Sequence, residues 1–556
     1  YLFMKIKKYK AITLLILLSL IVNFTTLNTF PVLDRDEARY VQSTKQMLET
    51  GRYNSIRFQE ELRSKKPIGI YWLQAISVSF LSPKEDFLNK KNNQFNNIWK
   101  YRIISSLFSL FTSLLMFLIA SKIFNRKVGL FSALALQSTL LFSIESHIAK
   151  TDAVLLTFSV VTMLLLLGYY KGIFVKKYDK VFFAFWSTIG LSILVKGPIL
   201  PLIILSAMFF IIVFKRSTNW ILETNPLTGI IIVFIIVLPW FLSLSATEQS
   251  SFINEGLKND FINKILSVQE NHAAFTGAHA VAILILFFPI SLFLLPSIFQ
   301  CIKGIKLKSN FFLIAWIVPN LIAFELVPTK LPHYTLPLYP ALSLLIGIYI
   351  SENKSYGLKR IGNLYIANSL VYLIITACVS YVFYIAIKNY SSLLQTYAYL
   401  VFLIFLIFSF GLIINFSLNK TKSFYYQVFL SCFTSIFIFG LLLPKLDKIW
   451  ISQNIYEIIK DDNINFKSED IAALGYNEPS LIFLLGSEIN ILKGLDKDFF
   501  EKKLFNYIII DEINKYDLQT ILDRSKREYI ILSSMKGFNM SKNKWVNTTI
   551  FKLKEK

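Results

Sequence analysis

Apolar residues in this chain come in blocks of roughly 17–23, about the length that carries a helix across a bilayer. Lipid offers no partner to backbone N–H and C=O groups, so such blocks must be helices. The blocks fall at 11–30, 103–121, 128–146, 152–170, 181–196, 198–214, 227–246, 279–300, 311–327, 334–351, 364–387, 396–417 and 425–444. That is a polytopic, all-α membrane region of about thirteen spans. The weakest division is Lys196-Gly197-Pro198, which a kink in one long helix would also explain. The chain has 556 residues, is 54% hydrophobic and has a mean hydropathy of +0.53, values foreign to a soluble chain of this length.

The net charge of +23 would point to nucleic acid in a soluble protein. Here the basic residues crowd alternate short connections: Lys122, Arg126 and Lys127; Lys171, Lys176 and Lys177; Lys303, Lys306 and Lys308; Lys420 and Lys422. The intervening connections carry single basic residues such as Lys150, Lys196 and Lys330. The positive-inside rule then places the amino terminus in the cytoplasm and excludes a nucleic-acid partner. The run Lys5-Ile6-Lys7-Lys8-Tyr9-Lys10 before span 11–30 reads as a retained signal anchor. Cys301, Cys378 and Cys432 lie in or beside apolar blocks without metal-ligand spacing and read as small apolar residues.

Two domains follow. Residues 1–444 form the membrane domain, with a large outer loop at 31–102. Residues 445–556 change composition: short apolar runs at 471–474, 481–485, 507–511 and 528–534 alternate with charged stretches, the pattern of a small soluble α/β domain outside the membrane. Residues 89–98, rich in Asn and Lys, read as a solvated loop.

The polar residues that stand out are on the outer side. In Asp34-Arg35-Asp36-Glu37-Ala38-Arg39-Tyr40, Asp34 is placed to cap a helix, with Glu37 completing a box. Ala38, Val41 and Leu48 make its apolar stripe and Gly51 ends it. Asp36, Arg39 and Tyr40 share one face. In Lys65-Lys66-Pro67-Ile68-Gly69-Ile70-Tyr71-Trp72, Pro67 opens a second surface helix over 68–81. Further groups are His147 to Asp152, Lys196-Gly197-Pro198, Gln269-Glu270-Asn271-His272, and Thr329-Lys330-Leu331-Pro332-His333-Tyr334. Each alone is explained by a cap, an ion pair or snorkelling. Together they gather carboxylates, lysines and histidines on one side of a membrane, where ionisable groups are costly and mark function. Cations suit a phosphate, and a carboxylate can orient or deprotonate a hydroxyl. There is no Walker A loop, no HExxH and no Gly-rich nucleotide fingerprint, so a lipid-linked substrate fits better than a nucleotide.

The order DRDEARY, KKPIGIYW, AKTDAV, VKGP, TKLPHYTLP resembles the bacterial GT-C glycosyltransferases related to the aminoarabinose (lipid A) transferases and to the dolichyl- or polyprenyl-phosphate-mannose protein mannosyltransferases, over roughly residues 10–350. The resemblance implies an integral glycosyltransferase of the bacterial inner membrane, with its carboxyl-terminal domain periplasmic. It would move a sugar from a polyprenyl-phosphate donor to a cell-envelope acceptor, a lipopolysaccharide-type glycolipid or a protein. It also implies roles. Asp36 and Asp152 match the family's outer-loop carboxylates and would be catalytic. Arg39, Tyr40, Lys66, Lys196, Lys330, His333 and Tyr334 would bind donor phosphate or substrate, with Glu37 and His272 as secondary candidates. In the aminoarabinose branch a histidine near the His272 position helps to hold zinc, with a glutamate just before the Lys-Pro pair. This chain has Lys65 there, and a lysine is normally protonated and repels a cation. The expectation is therefore transfer without a metal or other cofactor. The competing class is a transporter or flippase for lipid-linked sugars, which calls for polar residues near the bilayer midplane. A purely structural membrane protein would leave the polar groups unexplained.

Overall fold

A computed structural model describes residues 7–83, 95–175, 178–256, 275–352, 362–495 and 505–554. Each expected span contains helix. Eight helices are long and apolar enough to cross a membrane: Trp99–Ile123, Asp152–Tyr170, Pro226–Ser243, Lys308–Leu326, Pro332–Ser351, Tyr365–Tyr390, Gln395–Leu418 and Lys420–Lys445. The count is up to ten if Arg126–Gln137 with Leu140–Ser146 (bent by 68°) and Ala278–Leu286 with Ile290–Lys303 (bent by 112°) are each one span. The remaining expected spans appear as shorter helices, Lys8–Ser19, Lys180–Lys196 and Ile199–Lys215. The division at Lys196 is real. Gly197 has φ 72° and ψ −152°, a conformation open essentially to glycine alone, and a new helix starts at Ile199.

Asp152–Tyr170 is the central helix, buried along its whole length. Pro226–Ser243 and Gln395–Leu418 lie at the periphery and expose Leu227, Ile235, Leu242, Ile407 and Leu418. A belt of large exposed apolar side chains of this kind is a lipid-facing surface.

The described part of the 31–102 loop folds as expected in outline. One surface helix is Asp36–Thr50, ended by Gly51 at φ 71° with its N–H on the Met47 carbonyl. Its stripe of Ala38, Val41 and Leu48 is buried. The second is Gly69–Leu81. Between them, β1 (Arg57–Phe58) and β2 (Glu61–Leu62) pair as a short antiparallel hairpin, extended by the Arg63 N–H on the Ile56 carbonyl at 2.8 Å. Thr44 donates to Gln74 Oε1 at 2.8 Å, and Gln74 Nε2 donates to the Ala149 carbonyl at 3.1 Å. The two surface helices and the 147–151 connection are thus one unit.

The carboxyl-terminal region is a five-stranded sheet flanked by helices. Its strands are β3 (Ile471–Leu474), β4 (Asn490–Leu492), β5 (Tyr507–Asp511), β6 (Tyr529–Asn539) and β7 (Lys544–Leu553), in the order β4-β3-β5-β7-β6. β3 runs parallel to both β4 and β5, and β7 is antiparallel to β5 and β6. Residues 481–485 belong to a helix, Pro479–Leu485, rather than to a strand. This small domain sits on the outer loop. Phe483 and Leu484 join Val41, Phe95 and Tyr101 in one apolar cluster. Lys45 Nζ donates to the Phe483 carbonyl at 2.8 Å, and Asn96 Nδ2 to the Leu484 carbonyl at 2.7 Å. The end of the 89–98 segment is therefore docked on the domain, whereas residues 84–94 lie outside the described residues.

Candidate active site

Asp36 opens the first surface helix and is exposed into a cleft of about 960 Å³. The chain enters this helix through Arg35, whose φ is 64°, a value few non-glycine residues adopt and one that costs of order 1–3 kcal/mol. The Arg35 guanidinium donates to the carbonyl of Ser541 in the outer domain, which fixes the turn. The predicted cap is not made. Arg35 is the N-cap and no side chain caps the helix. Asp34 instead accepts the Ser480 N–H at 3.1 Å.

Asp36, Arg39 and Tyr40 all line the cleft, as their shared helix face requires. Opposite them stand Lys65 and Lys66, then Lys150, Asp152 and Lys196, then His333 and Tyr334. The sequence explains why these meet. Gly69 lets the second surface helix lie directly against helix Lys180–Lys196: a Cβ there would come within 2.8 Å of the Leu194 carbonyl oxygen. That contact brings Lys66 beside the end of the helix that carries Lys196. Asp152 is the first residue of the central helix, and Lys196 Nζ pairs with it.

The cleft is electropositive apart from its two aspartates. Burial alone would raise the Asp36 carboxyl, but Lys150, His333, Arg63 and Arg39 outweigh it and hold the group below the ordinary carboxylate range. Asp36 is thus an anion at neutral pH, able to accept a hydrogen bond or a proton. Lys150, opposed by burial but held by Glu145, Asp152 and Asp36, is kept above its ordinary value. It pairs with Glu145 at 3.2 Å.

Two expected residues are elsewhere. Glu37 is buried and bonded throughout. It takes Arg102 Nε and Nη2 at 2.9 Å each, and the N–H groups of Leu33 and Ala149 at 2.8 Å each. Arg102 also donates to the carbonyls of Leu27, Phe30 and Pro31. Glu37 therefore fastens the loop to the membrane helices and does not line the cleft. Lys330 pairs with Glu325 at 3.1 Å and donates to the Glu325 and Val327 carbonyls, so its ammonium is turned from the cleft although its neighbours Leu331 and His333 line it. His272 falls outside the described residues.

The structure adds Arg63 and Lys150 to the cleft wall. Arg63 sits 5.6 Å over the Tyr40 ring. Lys150 had a signal, two residues before Asp152 in AKTD. Arg63, on the last leg of a short hairpin, had none. Among the described residues no three His, Cys, Asp or Glu side chains stand close enough to hold a metal ion, and Lys65 lies on the cleft wall.

The sequence pattern of the dolichyl-phosphate-mannose-protein mannosyltransferase family matches residues 65–242. The undecaprenyl phosphate-alpha-4-amino-4-deoxy-L-arabinose arabinosyl transferase 1 of Pseudomonas fluorescens is 24% identical over 59% of this chain and 57% of its own length. The crystal structure of ArnT from Cupriavidus metallidurans bound to undecaprenyl phosphate superposes with a TM-score of 0.72 at 15% identity, covering 98% of both chains. The chain has an ArnT-like GT-C fold. An oligosaccharyltransferase of Archaeoglobus fulgidus shares the fold more distantly, with a TM-score of 0.52, 11% identity and coverage of 92% of this chain and 70% of that one. The fold agreement with ArnT extends through the outer domain, beyond the span where the motifs are legible. The GT-C fold of this chain is thus a bundle of apolar helices carrying its polar cleft at the helix ends, with the small carboxyl-terminal domain packed on the loop that bears Asp36.

Proposed function

We propose that this GT-C chain transfers a sugar from a polyprenyl-phosphate donor to a cell-envelope acceptor, a glycolipid of the lipopolysaccharide type or a protein, at the periplasmic face of a bacterial inner membrane. The observation that carries the reading is the cleft itself. An ionised Asp36 faces Lys65, Lys66, Arg63 and Lys150 across a space open to solvent, where helix ends meet. A flippase would need such groups near the midplane, whereas Asp152 begins its helix and Lys196 ends its own.

The acceptor oxygen attacks the anomeric carbon, and the bond from that carbon to the phosphate oxygen breaks with its electron pair. Negative charge grows on the departing polyprenyl phosphate. Lys66, Lys65 and Arg63 are the cations placed to meet it, and preformed charges act most strongly where water is scarce. Lys196 is engaged by Asp152. That pair positions the wall, and either member is available to a donor hydroxyl. Asp36 takes the acceptor proton if the acceptor is a hydroxyl, and orients it through Arg39 if the acceptor is a phosphate. A base with a lowered pKa is a weaker one, so its action depends on holding the acceptor close.

The test is turnover of labelled polyprenyl-phosphate sugars with envelope acceptors. Asp36→Asn lowers turnover by at least about a hundredfold if it is the base, with donor binding retained. Asp152→Asn costs less if that residue only positions substrate. Wild-type turnover in Asp36→Asn would remove the base role. Unchanged donor binding in a Lys65→Ala, Lys66→Ala double variant would put the site elsewhere.

A further inference from the structure

The hairpin β6–β7 of the outer domain is seated at the ends of the membrane helices. On one of its faces Gly537 fits against the segment that follows the last span. A Cβ there would run into the Ile451 side chain and lie 2.9 Å from the Lys448 carbonyl oxygen. On the other face Phe538 pairs across the strands with Trp545. Their ring centroids stand 4.9 and 6.0 Å from that of Tyr390, the last residue of span Tyr365–Tyr390. Trp545 is nonetheless exposed, as are Tyr397 and Tyr399 at the start of span Gln395–Leu418. An indole and phenols left open at span ends lie at the depth of lipid headgroups.

Cations gather at the same level. Lys536 shares a face with Phe538, and its ammonium lies 5.9 Å from the Trp545 ring centroid. Lys388, two residues before Tyr390, lies 5.5 Å from the centroid of Tyr384. Lys448 donates to the Asn389 carbonyl at 3.5 Å. Rings and a carbonyl leave these charges unneutralised. The acids close by are engaged elsewhere: Asp447 accepts the Ser392 N–H at 2.8 Å and its hydroxyl at 2.7 Å, and Glu512 accepts from Asn547, farther from the turn. Segments 381–400, 445–450 and 532–550 together hold six lysines and one aspartate.

This excess stands on the side of the membrane where the short connections carry single basic residues, so the rule that orders the spans does not account for it. Snorkelling accounts for Lys388 at a helix end, but not for Lys536, which a strand of a soluble domain delivers. We infer that this face is a docking surface for the headgroups of anionic phospholipids in the leaflet on the cleft's side. The lysines meet phosphate, and the rings lie among the glycerol and carbonyl groups beneath it. A zwitterionic headgroup brings its own cation and gains less. A second copy of the chain would bring the same positive face and is repelled. Each lysine at an anionic surface contributes about a factor of five in affinity, so Lys388, Lys448 and Lys536 together contribute roughly a hundredfold. The inference stands apart from the transfer reaction.

The experiment compares hydrogen exchange of the full chain in nanodiscs of phosphatidylcholine alone and of phosphatidylcholine with one third phosphatidylglycerol. Peptides covering 534–548 exchange about fivefold or more slowly in the anionic discs. The triple variant Lys388→Gln, Lys448→Gln, Lys536→Gln loses the difference, and the corresponding triple Lys→Arg variant keeps it. Salt at about 1 M, where charges are screened beyond roughly 3 Å, abolishes it in the unaltered protein, an arm that needs no variant to fold. Equal exchange in the two discs, a difference that survives in the glutamine variant, or one indifferent to salt overturns the surface. Protection that appears in phosphatidylcholine discs holding two copies but not one would assign the face to a second copy and overturn it as well.

Discussion

Asp36 and Glu37 are adjacent carboxylates with opposite fates. Asp36 opens to solvent in a cleft of cations, while Glu37 is sealed against Arg102. Removing one partner of a buried ion pair costs about 3–5 kcal/mol, because the other charge stays buried alone. Glu37→Ala is therefore expected to lower the unfolding temperature of the purified protein sharply, while Asp36→Asn leaves it near the unaltered value and loses turnover. The reverse pattern in a thermal melt with parallel assays would exchange the two roles. Lys65 carries a second expectation. With an ammonium where the sequence resemblance implies a metal ligand, turnover is expected to survive a strong chelator undiminished; loss on chelation with recovery on added zinc would overturn it. Position in a first helical turn, where acids are ordinary, did not separate the two; the face shared with Arg39 and Tyr40 favoured Asp36, but nothing local announced the Arg102 partner of Glu37. Nor did the sequence reveal that Lys330 is engaged, because its partner Glu325 lies inside an apolar block.

The motif order was legible at the scale of elements because it follows helix termini. Lys196 ends a helix at a glycine, and Asp152 and Asp36 begin theirs. Apolar block lengths gave the helices for the same reason. What block lengths could not give was the bending of two spans by 68° and 112°, which is set by packing. Two glycines separate shape from function. Gly69 sits where any Cβ meets the Leu194 carbonyl, so Gly69→Ala pushes the second surface helix off helix Lys180–Lys196 and draws Lys66 from Lys196. Overpacking of this kind costs about 1–3 kcal/mol, and donor binding is expected to fall with it. Gly51 has open space around it and φ 71°, so Gly51→Ala costs about 1–2 kcal/mol of local strain and leaves donor binding unchanged. Equal donor affinities in the two variants would mean that the helix contact does not set the cleft.

Across the whole molecule, the outer domain holds the cleft wall through a buried polar patch. Burial pushes the Asp34 carboxyl up to about 7, with Glu478 adding to it and the Ser480 N–H opposing it. Between its ordinary value of 3.8 and about 7, the folded protein binds a proton at Asp34 that the unfolded chain does not. Stability therefore falls as pH rises through that window and levels above it. Hydrogen exchange at the Ser480 region is expected to be slower at pH 5 than at pH 8, and Asp34→Asn removes that part of the difference. A variant with the same pH response as the unaltered protein would mean that another group is responsible. None of this was legible locally. Asp34 reads as a helix cap until a residue 446 positions later is seen to bond it. The Arg35 contact with Ser541 spans 506 positions. A ribosome adds 446 residues after Asp34 before the first of these partners is made, so the first loop waits through the synthesis of the membrane helices for the segments that lock it. A chain broken off before Ser541 would carry every motif residue of the cleft yet lack the carbonyl that holds Arg35, which ties the shape of the cleft to a segment made long after it.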